Sequence, residues 1–215
     1  MAAMLPAAEV AGLARGVATL PTVVLPGGPQ KGDGGVVRVL PGYMTGDWST
    51  VALRAYLRSL GYQVSGWDLK TNRGDVPSYT AIMRQKVATD ADRTGRPVRL
   101  VGWSLGGVVA REVARQAPAD VQQVVTLGSP VVGYGQYRPA GGPGPAPTTQ
   151  VRTDQPIHPR ITALYSKSDE VVPWRAALDP DARNQTEHIE VAAKHAELGV
   201  SAPILRMVGE ILATG

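Results

Sequence analysis

The 215-residue sequence contains no cysteine and no phenylalanine, and it has only three histidines. Without cysteine there are no disulfides, zinc–thiolate sites, iron–sulfur clusters or thiol nucleophiles. With three histidines, a histidine general base has to be His158, His188 or His195. Runs of like charge are also missing. The 22 basic and 18 acidic side chains are interspersed, so the net charge of +4 leaves no stripe for a nucleic-acid backbone, and no nucleic-acid partner is expected. No apolar stretch approaches the ~18 residues of a membrane span, which excludes an integral membrane segment. No lysine or arginine precedes the weakly apolar start, and Arg15 interrupts it, so the chain is expected to be cytoplasmic.

What is present reads as one α/β domain over residues 1–215, of a length that buries roughly 70% of its unfolded surface. Residues 1–35 form an N-terminal extension, with a short helix expected over Ala7–Leu20 and a glycine-rich loop over Pro26–Gly35. Strands are expected at Val36–Leu40, Tyr62–Trp67, Val98–Trp103, Val121–Leu127, Ile161–Ser166 and Glu187–Ala192. Helices are expected at Asp47–Leu60, Ser78–Ala91, Leu105–Gln116 and Pro203–Leu212. Strands alternating with helices imply a mainly parallel sheet of about six strands, with helices on both faces and no large cap domain. Residues 133–150 interrupt this pattern with five glycines and four prolines and are a candidate lid. Trp48 and Trp67 are expected in the core.

Gly102-Trp103-Ser104-Leu105-Gly106 is a G-x-S-x-G sequence, led into by the apolar run Val98–Val101 and followed by a helix. Strand, turn and helix in that order make a nucleophile elbow, a strained turn that lifts the serine oxygen above the sheet edge. The helix N-terminus behind it places a positive dipole where negative charge develops. A serine needs a base. His158 lies among prolines in a loop before a strand and reads as solvated. His188 starts a strand, far from the C-terminal edge where sites of parallel sheets form. His195 follows that strand at its C-terminal end and is the candidate base. The acid that orients it belongs in the loop after Ile161–Ser166, where Asp169 is the candidate and Glu170 its rival. Asp154, Asp179 and Asp181 read as solvated loop charges. Two N–H donors should hold an oxyanion: Leu105, next to the serine, and Tyr43, in the loop after the first strand, with Met44 close behind. The plainer reading of that loop is a β-to-α turn in which Asp47 caps the helix. Met44, Trp103 and Trp174 are candidate substrate-binding residues, although core packing suits the two tryptophans equally well.

These stretches resemble the α/β-hydrolase superfamily, and within it the small bacterial lipase- and esterase-like serine hydrolases. The resemblance rests on Val39-Leu40-Pro41-Gly42-Tyr43, on Val101–Gly107, on Tyr165–Trp174 around Asp169, and on Lys194–Val200 around His195. It covers roughly residues 36–212. It implies a Ser104–His195–Asp169 triad that cleaves small-molecule or lipid carboxylic esters through an acyl-enzyme, with no cofactor and no metal. Pro41-Gly42 stands where many lipases carry His-Gly, and the proline-rich insert does not resemble a helical lid. The same triad would serve a lipase, thioesterase or acyltransferase, and the fold could also carry a non-catalytic binding module. An alanine/leucine-rich N-terminus could instead anchor a lipid-binding protein at a surface. The oligomeric state is left open.

Overall fold

The computed structural model describes residues 31–131 and 155–215. The helix expected over Ala7–Leu20, the first half of the glycine-rich loop, the 133–150 insert and Asp154 lie outside the described residues.

Six strands form one sheet: β1 (Val36–Leu40), β2 (Gln63–Ser65), β3 (Val98–Trp103), β4 (Val121–Leu127), β5 (Arg160–Tyr165) and β6 (Glu187–Glu190). Their order is β2-β1-β3-β4-β5-β6, and every pairing is parallel. Of the four helices, α1 (Val51–Ser59), α2 (Val76–Thr94) and α3 (Leu105–Gln116) supply the crossovers from β1 to β4, and α4 (Ala202–Ala213) follows β6.

Alternation along the strands divides the interior into two cores, as a sheet covered on both faces requires. Val37, Val39, Val101, Val125 and Leu127 pack with Leu53, Tyr56 and Leu57 of α1 and Leu205, Val208 and Leu212 of α4. Leu40, Val98, Leu100 and Val124 pack on the other face with Met83 and Val87 of α2 and Val109 and Val113 of α3. In the absence of phenylalanine, leucine, isoleucine and valine fill most of this volume, and the largest fully buried side chains are Trp67 and Tyr56.

The expected elements match the observed ones closely at β1, β3, β4 and α3, where long apolar runs meet clear stops. The margins differ. Trp67 lies beyond the three-residue β2, fully buried, its indole N–H donating to the Leu69 carbonyl. The helix expected from Asp47 opens as a tight 3-10 turn, Asp47–Thr50, before α1. Asp47 does not cap it: Gly46 is the cap residue, and the Asp47 carboxylate accepts the backbone N–H groups of Trp67 and Asp68, both at 3.1 Å. Trp48 is 58% exposed and so is not a core residue; Ser49 and Thr50 occupy the inward positions of that turn. The α2 helix starts two residues earlier than expected because Asp75 caps it, accepting the Ser78 N–H, and it ends where Gly95 turns left-handed at φ 65°.

The chain runs from β1 outward to β2 and then crosses back to β3 on β1's other side. The loops leaving β1 and β3 therefore lead to helices on opposite faces of the sheet. A crevice opens between them at the C-terminal edge, where parallel sheets bind their ligands.

Candidate active site

Ser104 follows β3 directly, with φ 53° and ψ −122°. That positive φ is unfavourable for a residue with a β-carbon and costs on the order of 1–3 kcal/mol. The turn is held from both sides. The Ser104 N–H donates to the Leu127 carbonyl at 2.8 Å, and its own carbonyl accepts from the Gly107 N–H at 3.0 Å. The second motif glycine, Gly106, has no room for a side chain: a β-carbon there would stand 2.3 Å from the Leu40 carbonyl oxygen. That contact brings α3 close to the end of β1, and so brings the two loops together. A β-carbon on Gly42 would be 3.3 Å from the Ser104 β-carbon, which places the 41–45 loop against the serine.

His195 sits after β6, 2% exposed, and its Nδ1 lies 2.7 Å from Asp169 Oδ2. Asp169 is fixed in turn by the backbone N–H groups of Val171 and Val172, which donate to Oδ1 at 2.9 and 2.8 Å. A buried carboxylate saturated on one oxygen and paired on the other holds an imidazole in one tautomer, with Nδ1 carrying the proton and Nε2 an open acceptor. The rival Glu170 meets the backbone N–H of His195 at 3.5 Å, not its ring. Of the other histidines, His158 is exposed in its loop, and His188 Nε2 accepts the Asp179 N–H at 2.9 Å. Trp103 joins the histidine loop to the elbow. Its indole N–H donates to the His195 carbonyl at 3.1 Å, and the two rings pack with centroids 5.7 Å apart. No hydrogen bond links Ser104 Oγ to the His195 ring; the ring's hydrogen bond is the one to Asp169.

The β1 loop holds two candidates, Tyr43 and Met44. The Met44 N–H donates to the Asn72 carbonyl at 2.7 Å, so that amide is committed. Tyr43 is the neighbouring candidate. Trp103, 3% exposed, forms the wall behind His195. Trp174 lies at the far end of the acid loop, stacked on Tyr165 at 6.1 Å, with Arg175 over its ring at 4.3 Å. Among the described residues, no group of three histidine, aspartate or glutamate side chains could hold a metal ion, and no helix is long and apolar enough to cross a membrane.

Solved structures with this architecture decide the fold. Alpha/beta hydrolase domain-containing protein 10 from mouse is similar at a TM-score of 0.59 and 18% identity, over 86% of this chain and 92% of that one. The esterase domain of a Rhodothermus marinus protein gives 0.58 and 18%, over 86% and 88%. A monoacylglycerol lipase from Paleococcus ferrophilus gives 0.60 and 16%, over 86% and 96%. The chain has the α/β-hydrolase fold. No family model and no curated protein matches its sequence.

Three residues around this α/β-hydrolase edge carry no signal that the linear sequence reveals. Gly128, just after β4, has φ 56°, and a β-carbon there would stand 2.9 Å from Asp169 Oδ2 and 3.3 Å from His195 Nδ1. Ser166 is buried and its hydroxyl accepts from the N–H groups of Ser168 and Ala193, tying the acid loop to the histidine loop. Asn72, fully buried, holds the loop after β1. Each acts across the fold on residues distant in the chain. Asp179 also departs from its expected role as a solvated charge: it is 1% exposed and ion-paired with Arg111 of α3.

Proposed function

We propose that the protein is a serine hydrolase that cleaves carboxylic esters through an acyl-enzyme. Ser104 Oγ attacks the ester carbonyl carbon while His195 Nε2 takes its proton. Asp169 stabilises the imidazolium. The N–H groups of Leu105 and Tyr43 receive the tetrahedral oxyanion, with the dipole of α3 adding to them. His195 then protonates the leaving alcohol. In the second half of the cycle it deprotonates the water that attacks the acyl-Ser104 carbonyl, releasing the acid and regenerating the serine. The hydrogen bond between Ser104 Oγ and His195 Nε2 forms when substrate is bound, as catalytic hydrogen bonds are commonly completed only in the substrate complex.

The observation that carries this reading is the buried 2.7 Å Asp169–His195 pair, held by the Trp103 indole beside a serine at φ 53°. An esterase domain and a monoacylglycerol lipase share the fold, in agreement with ester substrates. Fluorophosphonate labelling of Ser104, read by peptide mass, tests the nucleophile. Ser104→Ala should lose both labelling and p-nitrophenyl ester turnover, the latter by about 10⁴–10⁶-fold. Wild-type turnover in a folded Ser104→Ala protein would refute the mechanism. A chain-length series of matched esters and thioesters, run with and without an added alcohol acceptor, separates esterase from thioesterase and acyltransferase.

A further inference from the structure

Asn72 lies in the loop between β2 and α2, with no side-chain chemistry of its own and no motif around it. It is nonetheless 0% exposed, and all four of its backbone and amide groups are engaged. Its Nδ2 donates to the Pro41 carbonyl at 2.9 Å. Its backbone N–H donates to the Thr45 carbonyl at 2.8 Å, and its backbone carbonyl accepts the Met44 N–H at 2.7 Å. Its Oδ1 accepts the Gly74 N–H at 3.1 Å, which fixes the orientation of the amide. Three of these four bonds end on the loop after β1, and they bracket Tyr43 on both sides.

We propose that Asn72 is the positioning residue of the oxyanion loop. It anchors the Pro41–Gly42 and Tyr43–Met44 peptides, the two that flank the Gly42–Tyr43 peptide, so that the Tyr43 N–H is carried towards the carbon attacked by Ser104. This inference rests on the serine-hydrolase reading above. Peptide planes flip when nothing holds their carbonyls, and an oxyanion hole works only if its donors are aimed before the charge forms. Nδ2 holds the carbonyl immediately before Gly42, and the committed Met44 amide holds the peptide immediately after Tyr43. The glycine between them would otherwise leave this stretch the freest part of the loop. The carbonyl of the Gly42–Tyr43 peptide is held within the loop, where the Thr45 hydroxyl and N–H both donate to it, at 2.8 and 3.3 Å. Asn72 thus ties the loop to the rest of the fold at the oxyanion end, as Asp47 does at the helix end.

The test is the rate of fluorophosphonate labelling at Ser104 and the kcat and KM for a p-nitrophenyl ester, in wild type, Asn72→Asp and Asn72→Ala, from pH 5.5 to 8. Asn72→Asp has the same shape and keeps the acceptor for Gly74, but at neutral pH it turns the donor facing Pro41 into a repelling oxygen. The expected result is a fall of roughly 10–100-fold in kcat and in labelling rate for Asn72→Asp, with KM changed less than about threefold, because the loss lies in the transition state. Burial raises the pKa of the new carboxyl, and its protonated form can donate to Pro41 again. The deficit of Asn72→Asp should therefore shrink towards pH 5.5, while that of Asn72→Ala stays constant. Variants that label and turn over within about threefold of wild type overturn the proposal, as does a deficit that follows the loss of folded protein and shows no pH dependence. Should Asn72→Ala fail to fold, the isosteric Asn72→Asp decides alone. A wild-type protein that does not label at all overturns the serine-hydrolase reading instead, so the two failures are told apart.

Discussion

Ser104 and Gly128 show two opposite uses of the left-handed region of backbone space. Ser104 occupies it with a side chain and is strained, held by the Leu127 carbonyl and by the close packing of Gly106 on β1. Gly128 occupies it at no steric cost, and its missing side chain leaves room for the Asp169–His195 pair. Gly128→Ala should therefore destabilise the fold by about 1–3 kcal/mol, from the strained φ and the overpacked contact. It should also slow ester turnover by displacing the imidazole. Urea denaturation and steady-state kinetics on the one variant check both effects. The elbow glycines and Ser104 are legible in the sequence because their spacing is local. Gly128 and Asn72 are not, because the groups they touch across the fold are 41 to 70 and 31 residues away along the chain, respectively.

Among the elements, β3 with its trailing Trp103 does more than deliver the serine. The indole N–H on the His195 carbonyl ties the loop after β6 to a strand near the sheet centre, across 92 residues of sequence. Trp103→Phe keeps the aromatic packing against His195 and Gly199 and removes that donor. A neutral hydrogen bond of about 1 kcal/mol is lost, so Tm should fall by roughly 2–4 °C and kcat/KM by about fivefold. The short Glu187–Glu190 strand has the same logic in reverse. It is an edge strand with exposed residues, and its role is to carry the chain back to the C-terminal edge, where Ser166 and Trp103 pin the following loop.

At the scale of the whole molecule, charges placed inside the fold set its response to acid. Arg38 pairs with Asp90 and Asp68, Arg99 with Asp33, and Arg111 with Asp179. Burial alone would push Asp179 up, but the Arg111 guanidinium with Asn184 and Thr186 holds its carboxyl below the usual carboxylate range. Asp33 is likewise lowered: burial opposes the shift, and the bonds from Arg99, Gly35 and Arg96 outweigh it. His188 is lowered by burial and by Arg111, with Asp179 opposing, and its neutral Nε2 accepts the Asp179 N–H. A depressed histidine contributes stability above its unfolded value of 6.5 that is lost as pH falls. Depressed carboxylates contribute stability above their unfolded value of 3.8 that is lost as pH falls through their folded values. Urea midpoints should thus decline gently below pH 6.5 and steeply below pH 3.8. Asp179→Asn, which leaves Arg111 buried against a neutral amide, should lose about 3–5 kcal/mol at pH 7 and flatten the steep acid limb. An unchanged limb in that variant would place the acid sensitivity elsewhere.

Local pattern by itself determined the alternation of strands and helices and the strand–turn–helix around Ser104, and it nominated the candidate acid and base that follow it. Hydrophobic periodicity, glycine stops and strand-end position act within a few residues of sequence and need no tertiary information. It also nominated His195 among three histidines, because only that one follows a strand at its C-terminal end. Only the tertiary structure decided that Asp169, and not Glu170, reaches the His195 ring. The two are adjacent in the chain and differ in which one the Val171 and Val172 amides hold inward. It likewise committed the Met44 amide to Asn72, turned Trp48 outward, and buried Asp179 against Arg111. Each of these depends on where a distant segment arrives. A sequence encodes that only through the packing of the whole sheet, and not in the spacing of any one stretch.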